Sequence, residues 1–330
     1  MYTWVCAADI SGLSARIIHI EVDVNDGLPV FDMVGFLASS VKEARERVRI
    51  AIRNLGIIFP AKRVTINLSP ANIKKDGTSF DLAIAIALLT AFGYIEPEDV
   101  ADTLFVGELG LDGSVHPVRG VLAMILEGRQ KGIKRFIVPT DNAYEGGLLD
   151  DIEVYGVKSL SDTIDFLIGE MKIEPTKTDT SVFFNDEVNM DFSEIAGQEQ
   201  AKLAAELAVS GKHNMLIIGP PGSGKSMLAK RIPTIQPVLS LDECLSITKI
   251  YSICGALDKD HPLITQRPFR APHHTITQTA LTGGGRTPTP GEITLASKGV
   301  LFLDELPEFA KQTMEVLRQP MEEGRVTISR

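Results

Sequence analysis

The segment "MLIIGPPGSGKSMLAKRI" (215–232) decides the fold of the second half of the chain. Its leading apolar residues, 215–218, predict a strand that runs directly into a loop. The loop, 219–226, carries the complete G-x-x-x-x-G-K-S pattern and is followed by a predicted helix. Glycines let backbone N–H groups turn toward a phosphate chain, and the helix adds the positive end of its dipole. The segment therefore predicts a binding site for the phosphates of a nucleotide.

The residue types in this loop predict distinct roles. Lys225 is expected to reach the β- and γ-phosphates, and the hydroxyl of Ser226 is expected to bind Mg²⁺. Because a chance match with both flanks in place is rare, a loop without a ligand is the weaker interpretation. The predicted nucleotide contacts are Gly219, Pro220, Pro221, Gly222, Ser223, Gly224, Lys225, Ser226 and Met227.

A second motif, "GVLFLDELPEF" (299–309), follows further along the chain. The apolar residues 300–303 predict a buried parallel strand. Asp304 and Glu305 then emerge at its carboxyl end, where open α/β sheets bind their ligands. Asp304 is expected to hold the magnesium, and Glu305 is expected to polarise an attacking water. The alternative is a solvated acidic strand end, which the preceding phosphate loop makes less favoured.

The segment 261–290 lies between these two motifs and contains no Asp or Glu. Its glycine run and the following arginine predict a mobile loop able to hold a phosphate backbone. The alternative is an ordinary surface hairpin in which Arg267 and Arg270 form structural pairs. Adjacent His273 and His274 favour a structural role over a metal site, because neighbouring residues point in different directions. The predicted loop residues are Gly283, Gly284, Gly285 and Arg286.

The composition is typical of a globular protein with two domains. The chain has 330 residues, of which 44% are hydrophobic and 23% are charged. No apolar run reaches the roughly 18–20 residues of a membrane span, and the N-terminus lacks a secretory layout. The three cysteines show no metal spacing, which favours a reducing cytoplasm. The net charge of −10 disfavours nucleic-acid binding by the whole surface, so such binding needs a local basic patch.

The first half of the chain alternates strand-like and helix-like segments, which predicts one α/β domain over 1–170. Ser40 and Glu43 are expected to form a capping box at the start of a helix. Asp112 and Gly113 predict the turn of a hairpin. The predicted elements are paired strands at 15–24 and 28–36, a helix at 39–56, a strand at 63–70, a helix at 79–92, a hairpin at 103–118, a helix at 120–131, a strand at 135–139, and a strand and helix over 152–168. The polar segment 171–190 predicts a linker, and 191–330 a second domain.

These motifs together resemble the magnesium-chelatase-like AAA+ ATPases of the YifB/ComM type. In the second half, the resemblance is carried by "RPFRAPHHTIT", "ALTGGG", "PGEITLASKGVLFLDELPEF" and "EVLRQPMEEGRVTISR". In the first half, it is carried by "GLPVFDMVG", "VKEARERVRIAIRNLG" and "INLSPANIKKDGTSFDLAIAIALL". The resemblance covers nearly the whole chain. It implies a Lon-protease-like α/β domain, of the ribosomal S5 domain 2 type, followed by a partial P-loop AAA+ α/β domain.

The resemblance also implies a function. It implies a bacterial cytoplasmic ATPase that uses ATP and Mg²⁺ and assembles into a hexameric ring. Its ComM branch implies helicase or branch-migration work on DNA during uptake and recombination. The sensors, arginine finger and helical lid of the family are expected beyond residue 330, so these residues alone are expected to hydrolyse ATP poorly. By the same resemblance, Ile195 and Gly197 are candidate contacts to the adenine.

The Lon-like resemblance raises the question of a peptidase, because Ser79 falls on the position of the Lon nucleophile. Lon-type chemistry needs a lysine to accept the serine proton, and the matching position here is Leu122. Lys74 and Lys75 precede the loop and are expected to face solvent. Ser79 is therefore predicted to cap a helix in a proteolytically inactive domain.

Several interpretations stay open from the sequence. The chain is expected to be a DNA motor, with a chelatase-type subunit or a nucleotide-gated scaffold as alternatives and a peptidase as the least favoured. The first domain is expected to be a scaffold or to bind a partner or DNA. A solvated helix face is preferred over nucleic-acid binding for the polar residues of 39–56. These are Lys42, Arg45, Arg47, Arg49, Arg53 and Asn54, which Glu43 and Glu46 interrupt.

Overall fold

The computed structural model describes residues 1–185, 190–258, 260–285 and 288–326. The chain forms two compact units. Unit 1 comprises Met1–Asp179 and Gly255–Pro262, and unit 2 comprises Thr180–Cys254 and Leu263–Arg330. The main division thus lies inside the segment predicted as a linker. Its first part is ordered against unit 1, where the backbone N–H of Thr176 donates to the carbonyl of Val154 at 2.7 Å. Within the described ranges, no helix is long and apolar enough to cross a membrane.

Unit 1 is built on a mixed sheet of seven strands. Their order is β3 (Val30–Val34), β4 (Arg63–Ser69), β2 (Ser14–Asn25), β1 (Tyr2–Ser11), β5 (Thr103–Phe105), β8 (Arg135–Pro139) and β9 (Glu153–Val157). The pairs β3/β4, β1/β5, β5/β8 and β8/β9 are parallel, whereas β1/β2 and β2/β4 are antiparallel. The predicted α/β class is therefore confirmed. The strands β6 (Glu108–Leu109) and β7 (Val115–His116) form a hairpin apart from the main sheet. This hairpin is shorter than the one predicted at 103–118, because 103–105 form β5, which pairs in parallel with β1 and β8.

Helices pack on both faces of the sheet. The helices α1 (Ser39–Asn54), α2 (Asp81–Ala91) and α6 (Leu160–Leu167) enclose the main core of unit 1 on one face, and α4 (Val121–Gln130) and α5 (Thr140–Gly146) pack on the other. The helix α2 is buried along its whole length, because nearly all of its residues are apolar. The helix α1 is amphipathic, and Val41, Ala44 and Val48 bury one face against the same core. The short helix α3 spans Pro97–Val100.

The secondary structure of unit 1 differs from the prediction at β1, at β3 and at the start of α1. The strand β1 was not predicted, although it pairs with β2 along its whole length. The strand β3 pairs with β4 and not with β2. The capping box is wrong, because Ala38 is the N-cap of α1 and no side chain caps it. The hydroxyl of Ser40 instead donates to Asp76 Oδ1 at 2.9 Å and accepts from the N–H of Gly77 at 3.1 Å.

Unit 2 is mainly helical among its described residues, with short strand pairs. Its helices are α7 (Glu199–Gly211), α8 (Lys225–Arg231), α9 (Leu241–Cys254), α10 (Gln278–Thr282), α11 (Glu292–Leu295), α12 (Lys311–Glu315) and α13 (Arg318–Glu323). Its strands are β10 (Phe269–Arg270), β11 (Gly283–Gly284), β12 (Thr289–Pro290) and β13 (Val300–Leu301). The strand β10 pairs in parallel with β13, and β11 pairs antiparallel with β12.

Two strand predictions for unit 2 need correction. The predicted strand 215–218 is not formed, and Leu216 and Ile218 are 69% and 87% exposed. A strand needs a hydrogen-bonded neighbour, and this segment pairs with no strand in the described part of the chain. The predicted strand 300–303 shortens to β13, whose two residues are half-buried where full burial was predicted.

Candidate nucleotide-binding site

The glycine-rich loop 219–224 leads into α8, as the sequence pattern requires. Gly224 is the N-cap of this helix and has a φ of 83°, and Gly222 has a φ of 78°. Side chains other than glycine rarely adopt this conformation. Positions 222 and 224 therefore require glycine, because the backbone turns into the helix through positive φ angles there.

The ammonium group of Lys225 bonds to its own loop. Its Nζ donates to the carbonyl oxygen of Gly219 at 2.9 Å and to that of Pro220 at 3.0 Å. Both acceptors are neutral and lie in exposed residues. Charged phosphate oxygens accept stronger hydrogen bonds than neutral carbonyls do. Lys225 is therefore placed so that it can exchange these carbonyls for the phosphates of a ligand.

The structure brings Ser226 and Asp304 together, although they are 78 positions apart in sequence. The hydroxyl of Ser226 donates to Asp304 Oδ2 at 3.1 Å. The other oxygen of Asp304 accepts from the backbone N–H of Glu305 at 3.0 Å. Oxygen ligands of this kind, one hydroxyl and one carboxylate, are those that Mg²⁺ takes beside a phosphate chain. The two side chains thus fit the magnesium that the sequence predicts for them.

Glu305 lies next to this pair in a strained backbone conformation, with a φ of 52°. Its side chain is 67% exposed, and Oε2 lies 3.4 Å from Nδ1 of His274. The ring of His274 lies 4.0 Å from the ring of His273, measured between centroids. The described residues contain no group of three or more His, Cys, Asp or Glu side chains that would hold a metal ion. The contact between His274 and Glu305 was not predicted from the sequence.

The segment before α7 also contacts the loop. Nε2 of Gln198 donates to the carbonyl of Ser223 at 2.8 Å. Nε of Arg231 donates to Oε2 of Glu194 at 3.1 Å, which joins the end of α8 to the same segment. Ile195, predicted as an adenine contact, is buried at 4% exposure in a small apolar cluster. The hydrogen bond from Gln198 was not predicted, because a glutamine in the sequence does not indicate a contact with a loop 25 positions away.

The other predicted contacts lie on an open surface. Gly219, Pro220, Pro221, Gly222, Ser226 and Met227 are exposed, and Ser223, Gly224 and Lys225 are half-buried. Gly197, the second candidate adenine contact, has a φ of 64°.

The predicted phosphate-backbone loop is only partly described. Gly283 and Gly284 form β11, Gly285 follows it, and Arg286 lies outside the described residues. The guanidinium of Arg270 binds both carboxylate oxygens of Glu292, at 2.6 and 2.7 Å.

Arg267 also has structural partners. It donates to the carbonyls of Pro237 at 2.7 Å and Lys298 at 2.5 Å. These two arginines are therefore structural, as the hairpin alternative predicted.

In unit 1, Ser79 is buried at 7% exposure and precedes α2 by two positions. Its predicted capping role is wrong, because Phe80 is the N-cap and no side chain caps this helix. Leu122 is fully buried in α4. Leu122 therefore leaves Ser79 without the lysine that the serine and lysine pair of a Lon-type peptidase needs at this position.

The prediction that Lys75 faces solvent is also wrong. Its side chain is fully buried, and its Nζ donates to the carbonyl of Pro70. Burial lowers the pKa of Lys75 and raises the pKa of nearby Asp9 to about 7. The charges of Lys75 and Arg16 oppose the shift at Asp9. By contrast, Lys74 is half-exposed and pairs with Asp76 at 3.3 Å.

Comparison with known families agrees with both units. A family model described as "Magnesium chelatase, subunit ChlI" matches residues 191–330. A second, described as "Subunit ChlI of Mg-chelatase", matches residues 20–142. With the phosphate loop and the facing acidic pair, these matches define the class that the chain resembles over both units, which is the magnesium-chelatase-like family of AAA+ proteins.

Within this class, the chain is similar to the ComM and YifB proteins. It is 42% identical over 323 residues to "Competence protein ComM" of Haemophilus influenzae, covering 97% of this chain and 63% of that protein. It is 43% identical over 319 residues to the YifB protein of Escherichia coli, covering 97% of this chain and 62% of that protein. The chain thus spans a little under two thirds of the length of these relatives. A more distant similarity, 27% over 175 residues, links it to a Lon protease of Mycolicibacterium smegmatis, with 49% of this chain and 22% of that protein covered.

Proposed function

We propose that this protein binds Mg-ATP in unit 2 and hydrolyses it. The observation that carries the proposal is the 3.1 Å contact between Ser226 and Asp304, directly beside the loop that holds Lys225. These groups come from two distant sequence motifs and together supply the oxygen ligands of a magnesium ion and a cation for the phosphates. The resemblance to this family supports the same nucleotide chemistry.

Each side chain has a defined task in this proposal. Lys225 leaves its loop carbonyls to bind the β- and γ-phosphates, while Ser226 and Asp304 hold Mg²⁺. When bound, Mg²⁺ neutralises charge that develops on the phosphates. Glu305 is exposed beside these groups, so its carboxylate orients the attacking water. His274, at 3.4 Å, fixes the position of that carboxylate.

The test is ATP turnover by the complete protein carrying Glu305→Gln. Mg-ATP affinity should stay within about twofold, because no phosphate or metal contact is removed, whereas turnover should fall at least about 100-fold. Glu308→Gln is the matched control, since Glu308 is an exposed glutamate in the same turn. Wild-type turnover in Glu305→Gln would contradict the proposed role of this carboxylate.

We further propose that the complete protein is a cytoplasmic DNA motor that acts as a hexameric ring. The similarity to a protein named for competence supports a role in DNA uptake or recombination. The segment 261–290, which lacks acidic residues, supports a phosphate-backbone contact through Gly283, Gly284, Gly285 and Arg286. The ATPase should then be stimulated by single-stranded or branched DNA.

Replacing Arg286 tests the DNA contact. Arg286→Ala should weaken DNA binding about tenfold at low salt and leave ATP affinity unchanged. Lys212→Ala, which removes an exposed cation at the end of α7, is the control. Equal DNA affinity in the Arg286 and Lys212 variants would exclude this loop as the DNA contact.

A magnesium-chelatase-type subunit is the second candidate, because both family descriptions carry that name. A tetrapyrrole-synthesis partner encoded beside this gene would favour it. A nucleotide-gated scaffold is the non-catalytic alternative, and ATP binding without DNA-stimulated turnover in the complete protein would favour that function.

A further inference from the structure

One face of the sheet in unit 1 presents exposed and half-buried side chains across four adjacent strands, β3, β4, β2 and β1. The alternate residues of these strands point into the core, as period-two strands require. We call this surface the open face. Its first row is Val34, Asn67, Glu21 and Trp4, and its second row is Asp32, Thr65, Asp23 and Tyr2.

The open face is acidic and partly aromatic. It carries the carboxylates of Glu21, Asp23 and Asp32, and its cations are the N-terminal ammonium, 4.0 Å from Asp23, and exposed Arg63 in the next row. Glu21 also accepts a hydrogen bond from Asn67 at 2.7 Å. Beside them, Tyr2 and Trp4 are 63% and 49% exposed. Exposed aromatic side chains supply the contact area of many protein interfaces, whereas a phosphate backbone is repelled by carboxylates. The open face therefore suits a basic protein surface.

A basic surface of this kind lies on α1 of the same unit. Lys42, Arg45, Arg49 and Arg53 follow one another at helical spacing, and all four are exposed. Their positions span about 16 Å along the helix. We call this surface the helix ridge. Glu46 neutralises Arg45 at 3.3 Å, whereas Lys42, Arg49 and Arg53 form no ion pair within the described ranges.

The open face and the helix ridge lie on opposite sides of the unit. The buried residues of α1 belong to the core that the inward side chains of β2 and β4 also form. Lys42, Arg49 and Arg53 are exposed on one side of the unit and the carboxylates on the other, whereas the guanidinium of Arg45 donates to the carbonyl of Phe31 in β3 at 3.4 Å. Across the four strands the open face is about 14 Å wide, which is close to the length of the ridge.

We propose that the helix ridge of one copy of this chain docks on the open face of the next copy. Two open faces placed together would oppose carboxylates, and two ridges would oppose cations, so a two-fold pairing is disfavoured through either surface. When copies follow one another in the same orientation, the cations of one helix ridge meet the carboxylates of the next open face. Such head-to-tail contacts build a ring when the rotation closes. The inference does not depend on nucleotide binding in unit 2.

Charge reversal tests the contact by sedimentation velocity of the whole chain. The ridge variant K42E/R49E/R53E and the face variant E21K/D23K/D32K should each associate at least about tenfold more weakly than the wild type. Mixing the two single-surface variants should restore association, because the reversed charges are again complementary. Association of the wild type should weaken when salt is raised from about 50 mM to about 500 mM.

The matched control is K131E/K134E, which places two reversed charges on exposed positions of unit 1 outside the residues assigned to the two surfaces. It should associate like the wild type. Fluorescence of Trp4, the single tryptophan, together with circular dichroism, confirms that each variant is folded.

Three results would overturn the proposal. They are a monomeric wild type at low salt, a ridge variant that associates normally, and mixed variants that stay apart. Loss of DNA binding with normal assembly in the ridge variant would assign the ridge to nucleic acid and also overturn it. Mg-ATP affinity, measured on the same variants, should be unchanged, so this test is separate from that of the ATPase.

Discussion

The loop before α2 in unit 1 and the loop before α8 in unit 2 have similar residues but differ in what their lysine reaches. Each is a short stretch with glycine, serine and lysine next to a helix. Lys75 is fully buried and donates to the carbonyl of Pro70. Lys225 also donates to loop carbonyls, but on an exposed surface. A lysine enclosed by its own loop stabilises that loop, whereas one on an open loop is available to a ligand.

The helix starts differ in the same way. The helix α2 begins with its own carboxylate, Asp81, which Arg47 binds at 2.7 and 3.0 Å. The N–H of Leu109 donates to the same carboxylate. The start of α8 instead presents Ser226, with Asp304 beside it. An anion therefore already occupies the first helix start, and the second is open to a phosphate.

The largest expected effect concerns the buried charges of unit 1. Burial raises the pKa of Asp9 from 3.8 to about 7, so its ionisation is penalised only in the folded state. Between pH about 4 and about 7 the unfolded chain loses this proton first, and the stability of unit 1 falls as pH rises. Asp9→Asn should remove this dependence and be more stable than the wild type by up to about 4 kcal/mol above pH 7.

Urea unfolding followed by Trp4 fluorescence measures this effect, because Trp4 is the single tryptophan and lies in β1 with Asp9. The control is Asp26→Asn, whose carboxylate is 93% exposed and pairs with Lys62 at 3.1 Å. It should keep the wild-type pH profile. If the free energy of unfolding depends on pH in the same way for Asp9→Asn and the wild type, then ionisation of Asp9 does not destabilise unit 1.

The next effect concerns the open loop of unit 2. Lys225→Ala should weaken Mg-ATP binding about 100-fold, or about 3 kcal/mol, because it removes charge-assisted bonds to the phosphates. Stability should change little, since the lost partners are exposed loop carbonyls. Titration calorimetry measures the affinity, and Lys230→Ala, an exposed lysine of the same helix, is the control. Equal Mg-ATP affinities in Lys225→Ala and Lys230→Ala would show that Lys225 does not bind the phosphates.

The smallest effect separates two neighbouring lysines of unit 1. Lys75→Ala should lower the free energy of unfolding by about 2 kcal/mol, because it leaves a cavity and removes the donor to Pro70. Lys74→Ala should change it by less than about 0.5 kcal/mol, because that side chain is half-exposed. Mg-ATP affinity should not change in either variant. A reversed order of stabilities would mean that Lys75 is not enclosed as described.

Local motifs could be predicted from the sequence because their residue spacing determines their geometry. The helix after Gly224 belongs to this group. The contact between Ser226 and Asp304 joins distant segments, and it was predicted because both motifs carry the residue pattern of one shared phosphate and metal site. The strands with period-two patterns, such as β2 and β4, were also predicted. In each case a short segment carries its own physical signal.

Other contacts between distant segments could not be predicted in this way. Gln198 bonds to the loop only because the fold brings its segment there. The burial of Lys75 was missed because charged residues are rarely enclosed. The predicted strand at 215–218 failed because a strand depends on a neighbour as well as on its own apolar residues.

The position of β3 has a consequence for solubility. It is the outermost strand of the sheet, and Val30 and Val34 are 39% and 50% exposed there. An apolar outer strand can template the addition of foreign strands and so lead to aggregation. Asp32 interrupts this strand with a charge, and Arg45 binds the backbone carbonyl of Phe31 at 3.4 Å. Replacing Asp32 with a neutral apolar residue would therefore favour fibre-like aggregation, whereas a lysine at this position would keep a charge on the outer strand and so prevent it.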